Sequence, residues 1–264
     1  MNSRHKLELT AIYITAAMLV VSVISLGAKT VFAYQAHEHG EEEKYPALYV
    51  YVEDIEEVTA PNQKTVYFTF DDGPSRNTEK ILDVLLEENV KATFFVCAQC
   101  ADSVDVPAIM RRILREGHEI GLHTYMHDYQ KLYRSLDDYL EDLNQINDYI
   151  IEATGYQPNI LRFPGGSGTA NASPALKKQI ISEITRRGYK YYDWDIDSGD
   201  STKHVNSVEY LFNRIIKGTK DRQRVIILMH DSPGPVTTPD AVRLAIPALR
   251  EQGYTFDKLT AAVK

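Results

Sequence analysis

Two histidines and two adjacent carboxylates are the residues of this chain best suited to chemistry. His123 and His127 lie four positions apart in the segment H-T-Y-M-H. On a helical turn that spacing puts both imidazoles on one face, as metal ligation requires, although an isolated pair of this kind is more often hydrogen-bonded on a helix surface. Asp71 and Asp72 offer a third ligand. Two histidines and one carboxylate leave coordination positions open for water and substrate, which is typical of catalytic zinc sites.

The other carboxylate of the pair is a candidate general base. A metal-acidified water needs a proton acceptor nearby, and two adjacent carboxylates repel each other unless cations hold both ionised. The metal serves one of the two aspartates, and Arg162 is available for the other. His230 is then left as a general acid. A neighbouring carboxylate would raise the pKa of its imidazole and keep it protonated.

Short apolar runs alternate with amphipathic runs from Lys64 onward, which predicts a parallel sheet with helical crossovers. The predicted strands are Thr65–Phe70, Ala92–Val96, Glu119–Leu122, Ile160–Phe163, Lys190–Ile196, Val225–Met229 and Tyr254–Phe256. The predicted helices are Thr78–Asn89, Pro107–Glu116, Leu136–Thr154, Pro174 to Gly188, Ser207–Gly218 and Thr238 to Gly253. Seven strands favour an α/β fold, a distorted (β/α)7 barrel. No G-x-G-x-x-G follows a strand, so a dinucleotide-binding fold has no support.

The polar residues capable of chemistry come directly after these strands. In a β/α barrel the carboxyl ends of the strands form one face, and the active site is built there. The residues in this position are Asp71, Asp72, His123, His127, Arg162, Asp195, Asp197, Asp200, His230 and Asp231. Their shared position predicts one site at the C-terminal ends of the strands.

Five segments, in order, resemble the motifs of the polysaccharide deacetylase family (carbohydrate esterase family 4), over about Lys64–Leu259. They are T-F-D-D-G-P at Thr69–Pro74, H-T-Y-M-H at His123–His127, R-F-P-G-G at Arg162–Gly166, W-D-I-D-S-G-D at Trp194–Asp200 and L-M-H at Leu228–His230. The resemblance implies a metal-dependent hydrolase that removes N-acetyl groups from the amino sugars of a polysaccharide.

The resemblance also implies a role for each matching residue. Asp72, His123 and His127 would hold one divalent ion, Zn²⁺ or alternatively Co²⁺. Asp71 would be the base and His230 the acid. The supporting groups would be Arg162, which orients the base; Asp200, with Asp197 in reserve, which pairs with His230; the Gly165 N–H, which faces the oxyanion; and Leu228 and Trp194, which contact the substrate.

Three positions depart from the family pattern. Gly165 stands where many members carry an aromatic residue, and Ser201 stands where Trp commonly follows the Asp of the fourth motif. Asp128 replaces a common Pro, and we expect no chemical consequence from it. Without the two rings the cleft is either wider, which favours a bulky polymer, or refilled by a neighbouring side chain such as Tyr125 or Trp194.

The N-terminus has the features of an export segment. Arg4 and Lys6 precede an uncharged run at Leu9–Ala28, and V-F-A ends at Ala33. This pattern predicts a signal peptide or an N-terminal membrane anchor at 1–33, followed by a linker at 34–63 and a catalytic domain at 64–264. Either interpretation of the first segment places the catalytic domain outside the cytoplasm.

Composition and cysteine usage narrow the classes of partner. The chain has 264 residues, of which 44% are hydrophobic, and its formal net charge is −8 without a cluster of Lys or Arg. Nucleic-acid binding is therefore not expected. Cys97 and Cys100 are interpreted as a local disulfide or as two partly buried thiols, rather than as a redox centre.

A cell-wall polysaccharide is the expected substrate, with peptidoglycan preferred because of the export segment. Chitin oligomers and O-acetylated xylan are alternatives, since the same site can cleave esters. A catalytically silent glycan-binding protein is the non-enzymatic alternative. Such a protein should lack the base or a metal ligand, whereas Asp71, Asp72, His123, His127 and His230 are all present.

The length of the apolar run generates a first prediction. Leu9–Ala28 is longer than the usual core of a signal peptide, so we expect an uncleaved anchor. After cell fractionation, activity should sediment with membranes and the protein should carry an unprocessed N-terminus. N-terminal sequencing that begins at Tyr34 would contradict the anchor and establish a cleaved signal peptide instead.

Overall fold

The computed structural model describes residues 44–50, 63–99, 103–202 and 204–263. The predicted export segment, most of the predicted linker and Cys100 lie outside the described residues. None of the described helices is long and apolar enough to cross a lipid bilayer.

Eight parallel strands form one curled sheet. They are β1 (Lys64–Asp71), β2 (Thr93–Cys97), β3 (Glu119–Thr124), β4 (Ile160–Leu161), β5 (Lys190–Tyr191), β6 (Ile196–Asp197), β7 (Arg224–His230) and β8 (Tyr254–Phe256). The order across the sheet is β5-β4-β3-β2-β1-β7-β6, and β8 pairs with the start of β1. Since β5 and β6 end this order on opposite sides, the barrel formed by the described strands is open between them. The predicted α/β class and distorted barrel are confirmed.

The prediction of one continuous strand at Lys190–Ile196 is wrong. The chain pairs with β4 at Lys190–Tyr191, leaves the sheet, and joins β7 only at Ile196–Asp197. The carbonyl groups of Tyr192 and Asp193 accept hydrogen bonds from the Arg162 guanidinium, at 2.9 and 3.1 Å, instead of continuing a ladder. A buried cation thus takes the acceptors that an uninterrupted strand would use for pairing.

Helices follow the strands and cover the outside of the sheet. They are α1 (Arg76–Glu87), α2 (Val106–Arg115), α3 (Tyr129–Leu132), α4 (Leu136–Thr154), α5 (Pro174–Arg186), α6 (Val208–Thr219) and α7 (Thr238–Glu251). The side chains of Ser75, Asp105, Ser135, Ser173 and Ser207 cap α1, α2, α4, α5 and α6 by accepting hydrogen bonds from backbone N–H groups. The six predicted helices are present, and the short helix α3 was not predicted.

Buried side chains pack between the sheet and the helices, and a further cluster packs residues of β1, β2 and β4 against the C-terminal segment. Phe68 and Phe70 of β1 are fully buried, as are Leu85 of α1 and Ile146 of α4. Each such side chain stabilises the fold by about 1.5–3 kcal/mol relative to an exposed one. This packing holds the central strand β1 in place, and Asp71, its last residue, therefore has a fixed position at the site.

Part of the predicted linker packs on the catalytic domain. Leu48, at the end of a short 3₁₀ turn (Pro46–Leu48), is fully buried. The N–H of Val50 donates to the Arg187 carbonyl at 3.0 Å. The approach is close enough that a Cβ at Gly188 would lie 2.1 Å from the Val50 carbonyl oxygen. The described residues from Ala47 onward belong to one compact unit.

Candidate active site and metal centre

The carboxyl ends of the strands bring the predicted site residues together. Asp71 ends β1 and lies beside His230, which ends β7, in the parallel register of these two strands. His123 lies near the end of β3, and Arg162 follows β4 directly. Residues separated by more than one hundred positions in the sequence thus share one edge of the sheet.

Asp72, His123 and His127 form the candidate metal centre. Oδ1 of Asp72 lies 3.3 Å from Nε2 of His123 and 3.2 Å from Nε2 of His127. This carboxylate oxygen is buried and makes no well-directed hydrogen bond to any described residue. One ligand atom from each of the three residues lies within 4.8 Å of the others. A buried, unsatisfied oxygen facing two imidazole nitrogens fits a divalent cation.

The protonation of these groups also fits a cation. Nδ1 of His123 lies 2.8 Å from the Arg162 carbonyl oxygen, so Nδ1 donates to this carbonyl and Nε2 is directed toward Asp72. Burial raises the pKa of the Asp72 carboxyl, but the two histidines more than offset burial and bring the pKa well below its usual range. Asp72 is therefore ionised and can act as a ligand.

The prediction that both histidines lie on a helical turn is wrong. His123 belongs to strand β3, and His127 lies in the turn that follows, with φ of +52°. Asp72 also has a positive φ, +73°, immediately after β1. Non-glycine residues seldom adopt this region, so both ligands are held in their conformations by surrounding contacts. The same four-residue spacing brings the imidazoles together through a strand end and a tight turn.

Arg162 and Asp71 form a buried ion pair. Nη1 of Arg162 donates to Oδ1 of Asp71 at 2.9 Å, and the arginine is completely buried. The same nitrogen also donates to Thr69 Oγ1 at 2.6 Å, and the guanidinium lies 4.3 Å from the centre of the Phe95 ring. Burial lowers the pKa of Arg162, and the charge of Asp71 opposes this change. The ion pair holds the Asp71 carboxylate in one orientation next to the three clustered ligand residues.

His230 and Asp200 form the second pair of the site. Nδ1 of His230 lies 2.8 Å from Oδ1 of Asp200, whose Oδ2 accepts from the His230 N–H and from Thr238 Oγ1, both at 2.7 Å. Asp197, the reserve partner, is exposed and instead accepts from the Gly199 N–H. Burial alone lowers the pKa of the His230 imidazole, but Asp200, with the charges of Asp71 and Asp72, raises it to about 9.

Comparison with known proteins agrees with this arrangement. The family model described as polysaccharide deacetylase matches residues 59–184. A peptidoglycan-N-acetylglucosamine deacetylase of Bacillus cereus is 31% identical over 211 residues, which cover 75% of this chain and 72% of that protein. The chain belongs to the polysaccharide deacetylase family.

Two further relatives carry related names. The peptidoglycan-N-acetylmuramic acid deacetylase PdaA of Bacillus subtilis is 30% identical over 222 residues, 82% of this chain and 75% of its own length. The crystal structure of the catalytic domain of peptidoglycan N-acetylglucosamine deacetylase from Eubacterium rectale superposes with a TM-score of 0.72 at 34% identity. That comparison covers 78% of this chain and 93% of the other.

Two side chains lie close to Gly165 in the third motif. A Cβ at Gly165 would lie 2.9 Å from Thr169 Oγ1 and 3.3 Å from Cε1 of Tyr129. Tyr129 is presented by α3, whose N-terminus Asp128 caps by accepting from two backbone N–H groups. The aromatic side chain beside Gly165 is therefore Tyr129.

Ser201, the second position that departs from the family pattern, is exposed. Tyr210 lies beside the nearby Gly199, where an added Cβ would be 3.2 Å from Cε1 of the ring. Trp194 is half-buried over Gly166, with its ring 5.7 Å from the Arg162 guanidinium.

The predicted substrate-contacting groups lie beside the ion pairs. Leu228, in β7 two residues before His230, is almost fully buried and is aligned with Thr69 of β1. Within the described part of the chain, the N–H of Gly165 has no hydrogen-bond acceptor. It is therefore free to donate to a bound oxygen atom.

Asp231 and Asp193, to which the sequence motifs assign no role, accept hydrogen bonds from the loops of the site. Asp231 is buried, and its carboxylate accepts from the Gly73 N–H at 2.8 Å and from Thr78 Oγ1 at 2.6 Å. Burial, with the nearby aspartate charges, raises the pKa of Asp231 to about 7. Asp193 accepts from the Ser167 N–H at 2.8 Å and so fixes the loop that contains Gly165. In the sequence, the position of Asp231 directly after His230 was the feature that could have indicated its place in the site.

The three-ligand geometry predicts the effect of removing one imidazole. His123→Ala should lose most of its bound zinc, because two remaining ligands hold the ion poorly. Metal analysis of purified protein after dialysis measures this loss. His204→Ala is the matched control, since His204 is exposed and lies outside the cluster. Stoichiometric zinc in the His123 variant would contradict the assignment.

The Asp200 pairing predicts a shift in the pH profile. A general acid works while protonated, so activity should fall as the pH rises through the pKa of His230. Asp200→Asn removes the main group that raises this pKa, while burial continues to lower it. The alkaline limb of kcat against pH should therefore move to lower pH. Asp197→Asn should leave the limb in place, and an equal shift in both variants would exclude the pairing as its cause.

Proposed function

We propose that this chain is an extracytoplasmic enzyme that removes N-acetyl groups from the amino sugars of peptidoglycan. The arrangement that supports this proposal is a three-ligand cluster flanked by two separately paired groups, the Asp71–Arg162 ion pair and the His230–Asp200 pair. One pair orients a carboxylate that can accept a proton, and in the other a carboxylate raises the pKa of an imidazole that can donate one. Hydrolysis of an amide is assisted by proton transfer from the attacking water and to the leaving nitrogen.

Asp72, His123 and His127 would hold a divalent ion, proposed to be Zn²⁺ with Co²⁺ as an alternative, which would supply a Lewis acid for the acetyl carbonyl and for the attacking water. Asp71 accepts the proton of the attacking water. Arg162 donates to Oδ1 of Asp71 and so fixes the direction of the other carboxylate oxygen. The carboxylate need not reorient during the reaction.

The remaining groups act on the acetyl oxygen and on the leaving nitrogen. The N–H of Gly165 donates to the oxyanion that develops on the acetyl carbonyl. Asp200 binds Nδ1 of His230, so that Nε2 carries the proton toward the amine. Transfer of this proton releases a free amino sugar and acetate. Leu228 is the proposed contact for the acetyl methyl group, and Trp194 contacts the sugar.

The named activities of the relatives support the choice of peptidoglycan. The Bacillus cereus and Eubacterium rectale proteins are named for N-acetylglucosamine, and the Bacillus subtilis protein is named for N-acetylmuramic acid. Ser201 is exposed and carries no ring, and we propose that this side of the cleft leaves room for lactyl and peptide substituents. Peptidoglycan is therefore favoured over chitin oligomers and acetylated xylan.

The base assignment is tested by Asp71→Asn, which keeps the side-chain shape and removes the proton acceptor. Turnover should fall at least ~100-fold, the usual scale for loss of a general base. Zinc content should stay normal, because Asp71 is not one of the three clustered ligands. Near-normal turnover with full zinc would show that another group accepts the proton.

The substrate is tested by measuring acetate released from peptidoglycan, chitotetraose and acetylated xylan by the zinc-loaded enzyme. We expect the highest kcat/KM on peptidoglycan, because the cleft is open near Ser201. Ser201→Trp should improve binding of chitotetraose, since a ring there can stack on a pyranose face. A chitotetraose efficiency equal to or above that on peptidoglycan would contradict the proposal, and xylan preferred over both would favour an O-acetyl esterase.

A further inference from the structure

The peptide groups between the two histidine ligands depend on one carboxylate. The N–H of Tyr125 donates to Oδ2 of Asp142 at 2.8 Å, and the N–H of Met126 donates to Oδ1 at 2.9 Å. The N–H of His127 donates to Thr124 Oγ1 at 3.1 Å, and this hydroxyl donates to Asp142 Oδ2 at 2.7 Å. The Asp142 carboxylate therefore accepts directly from two of the three N–H groups of the turn and is linked to the third through the Thr124 hydroxyl.

Asp142 comes from a different element and from an unusual position in it. It lies on α4, in the buried stripe that also contains Tyr139, Leu143 and Ile146. A buried carboxylate in such a stripe is costly unless its oxygens accept hydrogen bonds. Here the two oxygens accept three, and consecutive backbone N–H groups form a concave anion site around them.

The turn needs such support because of its backbone conformation. His127 has φ of +52°, a region that non-glycine residues adopt uncommonly and that costs free energy unless surrounding contacts offset it. Without the carboxylate, the N–H groups of Tyr125 and Met126 would lose their acceptor within the protein. The turn would relax toward a more common conformation, and the His127 imidazole would move away from Asp72.

We propose that Asp142 is a positioning residue of the metal centre. Its carboxylate gathers the N–H groups of the turn between His123 and His127 and thereby holds both Nε2 atoms toward Asp72. The distance between the two imidazoles is then set by where α4 docks on the sheet, as well as by the sequence spacing. This inference rests on the metal centre of the proposed function.

Asp142→Asn tests the proposal in the full-length protein. The amide replaces one acceptor oxygen with a donor, so at least one N–H or hydroxyl of the turn faces an NH₂ group. We expect Zn²⁺ affinity, measured by competition with a chromogenic chelator after removal of bound metal, to weaken 10- to 100-fold. Asp148→Asn is the matched control, because Asp148 is exposed on the same helix and bonds only Asn144 among the described side chains.

Kinetic measurements separate positioning from general damage. At saturating Zn²⁺ the Asp142→Asn enzyme should recover most of its kcat with an unchanged KM for the glycan, whereas a distorted cleft would raise KM as well. Zinc affinity equal to that of the Asp148→Asn control would overturn the proposal. Wild-type protein that binds zinc but releases acetate from no glycan would overturn the proposed function, and the comparison of zinc affinities would still decide the role of Asp142.

If the Asp142→Asn protein shows no cooperative unfolding transition and is therefore misfolded, a second pair of variants tests the proposal. Thr124→Val removes the hydroxyl that links His127 to Asp142, and Thr124→Ser keeps it. Zinc affinity should fall in the Val variant and stay within about threefold of wild type in the Ser variant. Equal affinities in the two variants would overturn the proposed link between the carboxylate and the ligand.

Discussion

The site depends on the hydrogen bonds and the ion pair made by the buried guanidinium of Arg162. A fully buried cation is tolerable only if its donors are satisfied and an opposite charge lies close by. Here Nε and Nη2 donate to the carbonyls of Tyr192 and Asp193, and Nη1 donates to Thr69 and Asp71. Because the two carbonyls accept from the guanidinium, they do not pair in the sheet, and the strand is interrupted after β5. The bond to Asp71 holds the proposed base in place. The carbonyl of the same residue accepts from Nδ1 of His123, so Arg162 orients a metal ligand as well.

Carboxylates outside the ligand set hold the loops of the site in the same way. Asp231 binds the N–H next to the Asp72 ligand, Asp142 binds the turn between the histidines, and Asp193 binds the loop of Gly165. In each case a side chain from a distant part of the chain satisfies the backbone of a short loop. A loop so bound keeps strained conformations, such as the positive φ of Asp72 and His127, that its own sequence would not maintain. The acidic character of the chain thus serves local positioning as well as catalysis.

The two positions that depart from the family pattern have different surroundings. Gly165 has no side chain, and Tyr129 and Thr169 lie close beside it. Tyr129 is presented by helix α3, which Asp128 caps, and its ring lies 5.2 Å from that of His127. Ser201 is exposed, and Tyr210 packs beside the nearby Gly199. An aromatic side chain thus lies next to a metal ligand at one position, and an exposed serine follows Asp200 at the other.

The sequence by itself determined the α/β class, the order of the elements and the residues at the strand ends. Apolar periodicity and capping residues are local signals, and the position of Asp71, His123 and His230 after apolar runs predicted a shared face. The break in the strand after Tyr191, and the strand end and turn that hold His123 and His127 in place of a helical turn, were decided only by the tertiary structure. So were the roles of Tyr129 and Asp142. Each of these depends on hydrogen bonds or contacts between residues far apart in the chain, and local propensity carries no information about which distant acceptor a buried donor will find.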